Sequence, residues 1–237
     1  MTYTRSEDKN KALLLQSATA EQIRQHTEDI RQGVTSCCLP PCPRCQLTSD
    51  LFKRHEKRSR QFYVVMNQLV VTLMGLLLRW KCPGCNKTAT DYPGFAIPYK
   101  RYTLPTILGF SSCYVADPDS SYRGLIDACP LEYEAKPDSE VSYTSIMEHS
   151  TIHRWVTTLG GYSQIVREAT GLILQADPVT SICRDLAGLM IPSKKYASAL
   201  RKKVLLSCFR LVFLESIYRS VFQVSIFPRL ATRCAYS

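Results

Sequence analysis

Apolar and polar positions along this 237-residue chain follow two different periods, and where the period changes the chain divides into candidate elements. Residues 1–35 are polar and helix-friendly. Leu13, Leu14 and Leu15 are followed by Ala20, Ile23 and Ile30, with Ser17 or Thr19 to cap the segment AEQIRQHTEDIRQG and Gly33 to end it. This pattern predicts an amphipathic arm that covers the domain beside it. Phe62-Tyr-Val-Val65 and the apolar run from Leu69 to Trp80 are β-branched and aromatic, and read as strands. Helical signals resume at Thr103, with Pro105 allowed in the first turn, and a short second helix is expected from Tyr122. Between and after them, Ala116–Ser121 is a turn-rich break and Pro130–Ser142 reads as a loop.

The clearest amphipathic helix runs from Ser150, as N-cap, to Gly160, as stop. Ile152, Trp155, Val156 and Leu159 recur at i, i+3, i+4 and i+7, an apolar stripe that faces a core. Beyond Tyr162 the chain is helical and apolar, with candidates Gln164–Gln175, Val179–Met190 and Tyr196–Val224. The last carries Leu200, Val204, Leu205, Cys208, Leu211, Val212, Glu215 and Tyr218 on a stripe that Phe209, Phe213, Val221 and Phe222 widen almost all the way round. A helix of this kind is central to a bundle or buried in an interface, with a homodimer as one form of the latter.

Composition changes the picture in two ways. Thirty Lys and Arg against 20 Asp and Glu give a net charge of +10, which favours a polyanionic partner over a merely solvated basic surface, with nucleic acid first and an anionic membrane second. The Leu69–Leu78 run is about half of what a membrane span requires, so no membrane insertion is expected. Eleven Cys is an odd number, and MTYTRSEDKN has no apolar signal core, so a reducing, cytoplasmic setting with mostly free thiols is expected.

Four of those cysteines form two knuckles of one type, Cys42-Pro43-Arg44-Cys45 and Cys82-Pro83-Gly84-Cys85, 36 residues apart. Two C-x-x-C pairs supply the four thiolates of a tetrahedral structural zinc site, whereas a redox motif uses one pair. Cys37 and Cys38 leave the register open, because Cys38 and Cys42 are also spaced as zinc ligands; the repeated C-P-x-C form favours Cys42, Cys45, Cys82 and Cys85.

Between the knuckles lies a basic stretch, read as a loop, with Lys53, Arg54, Lys57, Arg58 and Arg60; Lys100 and Arg101 lie between Tyr99 and Tyr102 just beyond. Basic residues interleaved with aromatics suit phosphate contacts and base stacking. The polar face of the 150–160 helix presents Thr151, His153, Arg154 and Thr157, as a recognition helix would present them to a major groove. An ordinary surface helix gives the same pattern. His149 and His153, four apart, lack a third ligand, and His55 reads as a surface residue.

The segments Leu78-Arg-Trp-Lys-Cys-Pro-Gly-Cys-Asn-Lys-Thr, Pro93-Gly-Phe-Ala-Ile-Pro-Tyr-Lys-Arg-Tyr-Thr103 and His149-Ser-Thr-Ile-His-Arg-Trp155 resemble the zinc-ribbon and helix-turn-helix front end of bacterial transposase-type proteins of mobile elements. The resemblance implies an α+β, mainly α, fold: a small zinc ribbon, then a helix-turn-helix-like unit and a C-terminal helical bundle. The corresponding divisions are a helical arm 1–35, a ribbon 36–98, a DNA-binding region 99–161 and a helical region 162–237. It also implies a zinc-dependent accessory or regulatory protein acting on double-stranded DNA. The spaced carboxylates of a ribonuclease-H-like domain do not follow the candidate recognition helix, and no P-loop, G-x-S-x-G or H-E-x-x-H occurs, so catalysis is not expected. The rival reading is a protein-interaction module that docks on a transposase or polymerase through its C-terminal helices; a third is an RNA-binding ribbon.

Overall fold

The computed structural model describes residues 5–117, 119–133, 147–181, 199–222 and 226, with side chains from Thr19 onward. The apolar Leu13–Leu15, most of the expected Val179–Met190 helix and all but the start of the Pro130–Ser142 loop lie outside the described residues or side chains. The chain forms two compact units. One runs up to Thr106 and takes in Glu132–Tyr133; the other holds Ile107–Leu131 and Met147–Ile226.

The first unit is a helix laid on a sheet. Helix α1 (Arg5–Gln32) buries Ala20, Ile23, Thr27 and Ile30, residues three or four positions apart that share one face. It ends at Gly33, whose φ of +75° lets the Val34 N–H reach back to the Asp29 carbonyl at 3.0 Å, a Schellman closure. Strands β1 (Lys53–Met66) and β2 (Leu69–Lys81) form an antiparallel hairpin. Its two-residue turn, Asn67-Gln68, has φ of 50° and 68°, the left-handed pair whose twist matches the strands. Strand β3 (Thr88–Asp91) pairs antiparallel with the end of β2, and β4 (Glu132–Tyr133) pairs parallel with its start.

Two contacts seat α1 on the sheet. The Thr27 hydroxyl donates to the Ile23 carbonyl at 2.7 Å and accepts the Leu76 N–H at 3.2 Å. At Gly75 a Cβ would lie 2.9 Å from Phe62 and 3.1 Å from Ile23, so the helix packs this closely only over a glycine. Ala20, Ile23, Phe62, Val64, Leu77, Phe95 and Ala96 form the core there, and Ile30, Leu39, Phe52, Leu78, Trp80 and Ala89 form another around Cys42 and Cys82.

The second unit is helical: α2 (Leu104–Ala116, its first turn in the first unit), α3 (Tyr122–Ala128), α4 (His149–Gly160), α5 (Ser163–Ala176) and α6 (Ala199–Phe222). Ser121 caps α3 by accepting the Gly124 N–H. Ile152, Trp155, Val156 and Leu159 are all buried, as the stripe predicted. The N-cap of α4 is Glu148, and Ser150 lies within the helix with its hydroxyl donating to Glu148 at 3.1 Å. Helices α4 and α6 meet at Gly160, where a Cβ would overlap the Val204 carbonyl.

The expected architecture, a small zinc ribbon followed by a helix-turn-helix-like unit and a helical bundle, is overturned on two counts. The knuckles do not belong to a small separate ribbon. They sit on a hairpin of 14- and 13-residue strands in a four-stranded sheet that shares a core with the 28-residue α1. Among the described residues, the helix before α4 is α3, which ends at Ala128 while α4 begins at His149, whereas the motif joins its helices by a turn of about 3–4 residues. The basic stretch 53–60 is not a loop. It is the first half of β1, and Glu132–Tyr133, expected in a loop, is a strand.

Candidate metal centre

The two knuckles fold alike. In the first, the Cys42 N–H donates to the Leu47 carbonyl and the Gln46 N–H to the Cys42 carbonyl, both at 2.8 Å. In the second, the Cys82 N–H donates to the Lys87 carbonyl at 2.8 Å and the Asn86 N–H to the Cys82 carbonyl at 2.9 Å. Gln46 and Asn86 hold matching left-handed conformations, φ 60° and 61°. Strand β2 delivers the second knuckle at its end, and the turn passes directly into β3.

The four sulfurs converge. Cys42 and Cys85 Sγ atoms are 3.4 Å apart, as are those of Cys45 and Cys82, and all four lie within 4.8 Å of one another. These are not disulfide distances, since a bond would bring sulfurs to about 2.05 Å. Four Zn–S bonds of about 2.3 Å at tetrahedral angles separate sulfurs by about 3.8 Å, which falls between the two observed limits. Gly84 keeps the space clear, because a Cβ there would sit 3.2 Å from Cys45 Sγ. Cys42 and Cys82 are fully buried against Leu39, Phe52 and Trp80, while Cys45 is exposed.

The electrostatics favour a cation. Burial opposes ionisation of Cys42, yet the Cys45 and Arg44 backbone N–H groups hold its thiol down at about 6. Cys45 receives the Leu47 N–H, but the neighbouring sulfurs, Cys82 foremost, push it up to about 12. Cys85, bonded by the Lys87 N–H, is also raised, by burial and by Cys42 and Cys82. Like charges this close resist full ionisation, and a bound dication removes the obstacle. An all-thiolate, closed tetrahedral donor set suits zinc in a structural role. Cys37 and Cys38 lie outside this group: Cys37 packs on the adjacent core, and the Cys38 N–H donates to Asp91 at 3.2 Å.

The cationic residues expected at DNA divide by what they already hold. Arg54 donates to the Gly33 and Thr35 carbonyls at 2.6 and 2.8 Å and lies over Trp80, tying β1 to the end of α1. Arg60, half-buried, donates to the Ile97 and Lys100 carbonyls and lies over Phe62 and Tyr92. Arg101 donates to the Tyr63 hydroxyl at 3.1 Å. Arg58 pairs with Glu56 at 2.9 Å, and together with Arg79 it holds that carboxyl below its usual range. Lys53 and Lys57 stand exposed on β1, and Lys100 is half-exposed beyond it. On α4, in the other unit, His153, Arg154 and Thr157 are exposed and Thr151 is partly so. The Thr157 hydroxyl donates back to the His153 carbonyl at 2.8 Å, and the His153 ring meets Tyr122 edge-on.

Sequence reasoning missed that β1 is an edge. Among the described residues its only backbone pairing partners are β2 and, through Tyr63, Tyr102, so from Lys53 to Gln61 its outer backbone edge has no backbone partner there. A β-bulge at His55 interrupts the ladder there. No protein-family model, curated protein or solved structure matches this chain.

Proposed function

We propose that the protein binds nucleic acid through the cationic edge of β1, with zinc at the four cysteines as a structural brace. The carrying observation is that Lys53 through Ser59 are all exposed on one open edge whose far strand ends in the second knuckle. Zinc holds the ends of the hairpin to α1's core; the edge offers Lys53, Lys57 and Arg58 to phosphates, beside backbone N–H groups that have no backbone partner among the described residues. Double-stranded DNA is the partner class that the net charge of +10 and the likeness to transposase-type proteins favour, and an accessory or regulatory role in a mobile element follows from that likeness.

Three phosphate contacts give a log–log salt slope of about −2.7, hence roughly a 40-fold loss of affinity between 50 and 200 mM salt. Duplex selection from a random library followed by such a titration tests the reading; salt-independent or absent duplex binding refutes it. The rival, docking on another protein, draws support from the exposed Phe213 and Val221 on α6, and binding that needs α6 but not β1 would favour it.

A further inference from the structure

The open cationic edge of β1 does not run to the end of the strand. Beyond Gln61, residues 97–103 lie alongside it: the Tyr63 N–H donates to the Arg101 carbonyl at 2.8 Å, and the Thr103 N–H to the Tyr63 carbonyl at 3.2 Å. Arg60 fastens the start of that segment by donating to the Ile97 and Lys100 carbonyls. The same two residues bound a turn, Ile97-Pro98-Tyr99-Lys100, closed by the Lys100 N–H on the Ile97 carbonyl at 3.2 Å. Proline fixes the first central position at a negative φ and Tyr99 takes the second at φ 63°, so the turn is type II. Glycine or asparagine ordinarily fills that second position, because a Cβ is crowded there. Here it holds a tyrosine that is 79% exposed and adds little to the core. Ile97 and Pro98 are buried before it and Tyr102 after it, so the side chain projects from an anchored base. Among the described residues, Tyr99 is the one Phe, Tyr or Trp of its unit that stands exposed.

We propose that Tyr99 is a stacking platform for an unpaired nucleobase, and that the preferred ligand is a DNA duplex that opens into a single strand at this ring. The inference rests on the nucleic-acid reading of β1 and deepens it. Within a duplex both faces of a base are covered by its neighbours, so a protein ring reaches one only by unstacking a step. An unpaired base offers its face without that cost, and any base serves, because each has a π face. A ring carried on an anchored turn also gives up little freedom on binding. The placement suits both parts of such a ligand. Lys57 precedes Arg60 by three residues of extended strand, about 10 Å, which is about three phosphate steps along one strand of a duplex. A duplex held by its phosphates at Lys53 and Lys57 therefore reaches the turn that carries Tyr99 within a few nucleotides.

The test is fluorescence anisotropy of the full zinc-loaded chain with three kinds of DNA: a blunt duplex, that duplex with a short thymine overhang of each polarity, and the same overhangs made abasic. The abasic strand keeps the phosphates and lacks the bases. An intact overhang is expected to bind about tenfold more tightly than its abasic form, the worth of one stacked base. Tyr99→Phe should keep that preference. Tyr99→Gly should lose it, with a melting temperature no lower than that of the parent chain, because glycine suits the turn. Equal affinity for intact and abasic overhangs, alongside blunt-duplex binding that Lys57→Gln weakens, overturns this inference and leaves the reading of β1 standing. A preference that survives in Tyr99→Gly, or is lost in Tyr99→Phe, overturns it as well. A lower melting temperature in Tyr99→Gly makes the ring part of the fold and counts against it equally. Absence of binding to all of these DNAs overturns the inference together with the reading it rests on.

Discussion

Arg54 separates a cation that builds the fold from one that meets a ligand. Arg54→Gln removes two charge-assisted hydrogen bonds, to the carbonyls of Gly33 and Thr35, and the stacking of the guanidinium over Trp80. Bonds to charged groups contribute about 1.5–3 kcal/mol each when shielded, and an exposed cation–π contact about 0.5–1 kcal/mol. The hydrogen bonds lie on the exposed side of the unit, so solvent screening reduces the sum to about 2 kcal/mol. For a unit of this size that is a fall in melting temperature of roughly 5–10 °C. Lys57→Gln, on the same strand but exposed, is expected to leave the melt within about 1–2 °C. The duplex-binding assay should reverse the order: Lys57→Gln lowers the salt slope by about 0.9, and Arg54→Gln leaves it unchanged. An Arg54 variant with an unaltered melt and a reduced slope would refute this division of labour.

Three further outcomes follow from local geometry. Gly75→Ala places a methyl against Phe62 and Ile23 at 2.9–3.1 Å, and is expected to cost about 1–3 kcal/mol in a denaturant melt; combining it with Ile23→Ala, which removes the Cγ2 in contact, should cost less than the sum of the two changes, and strict additivity would contradict the packing account. Gln68→Gly relieves a left-handed residue in the hairpin turn and is expected to raise stability by up to about 1 kcal/mol, measured by the same melt. Metal affinity should fall as pH falls, because binding must displace protons from thiols such as Cys45, whose ordinary range is pushed up to about 12. A chelator competition from pH 8 to pH 6 should show more than a tenfold loss per unit, the mark of more than one proton released; a flat profile would contradict thiolate ligation.

The four cysteines were legible because coordination fixes residue type and local spacing, and each knuckle closes by bonds within six residues of its first Cys. The burial of Ile152, Trp155, Val156 and Leu159 was legible for a similar reason, since one helix period carries it. The basic half of β1 was not. With both of its faces in solvent it carries no alternation, and its strand character comes from pairing with Leu76 to Lys81 across the hairpin. Likewise nothing near Arg54 or Arg60 in the chain announces their partners, which lie 19 to 40 residues away. The ribbon expectation failed because it took the hairpin as isolated. Ile23 and Ile30 of α1, far upstream, complete the cores beneath it. The helix-turn-helix expectation failed on spacing: the face of α4 was legible and so was the short helix from Tyr122, but Ala128 and His149 lie too far apart in the chain for the motif's tight turn.

The most direct test of the metal centre is sulfur counting on the purified chain, by metal analysis together with zinc-edge X-ray absorption. One zinc per chain with four sulfur neighbours at about 2.3 Å is the expected result, kept in the Cys37→Ser and Cys38→Ser variants and lost in Cys82→Ser. Substoichiometric metal, or a first shell with nitrogen or oxygen in place of any of the four sulfurs, would contradict the assignment of Cys42, Cys45, Cys82 and Cys85.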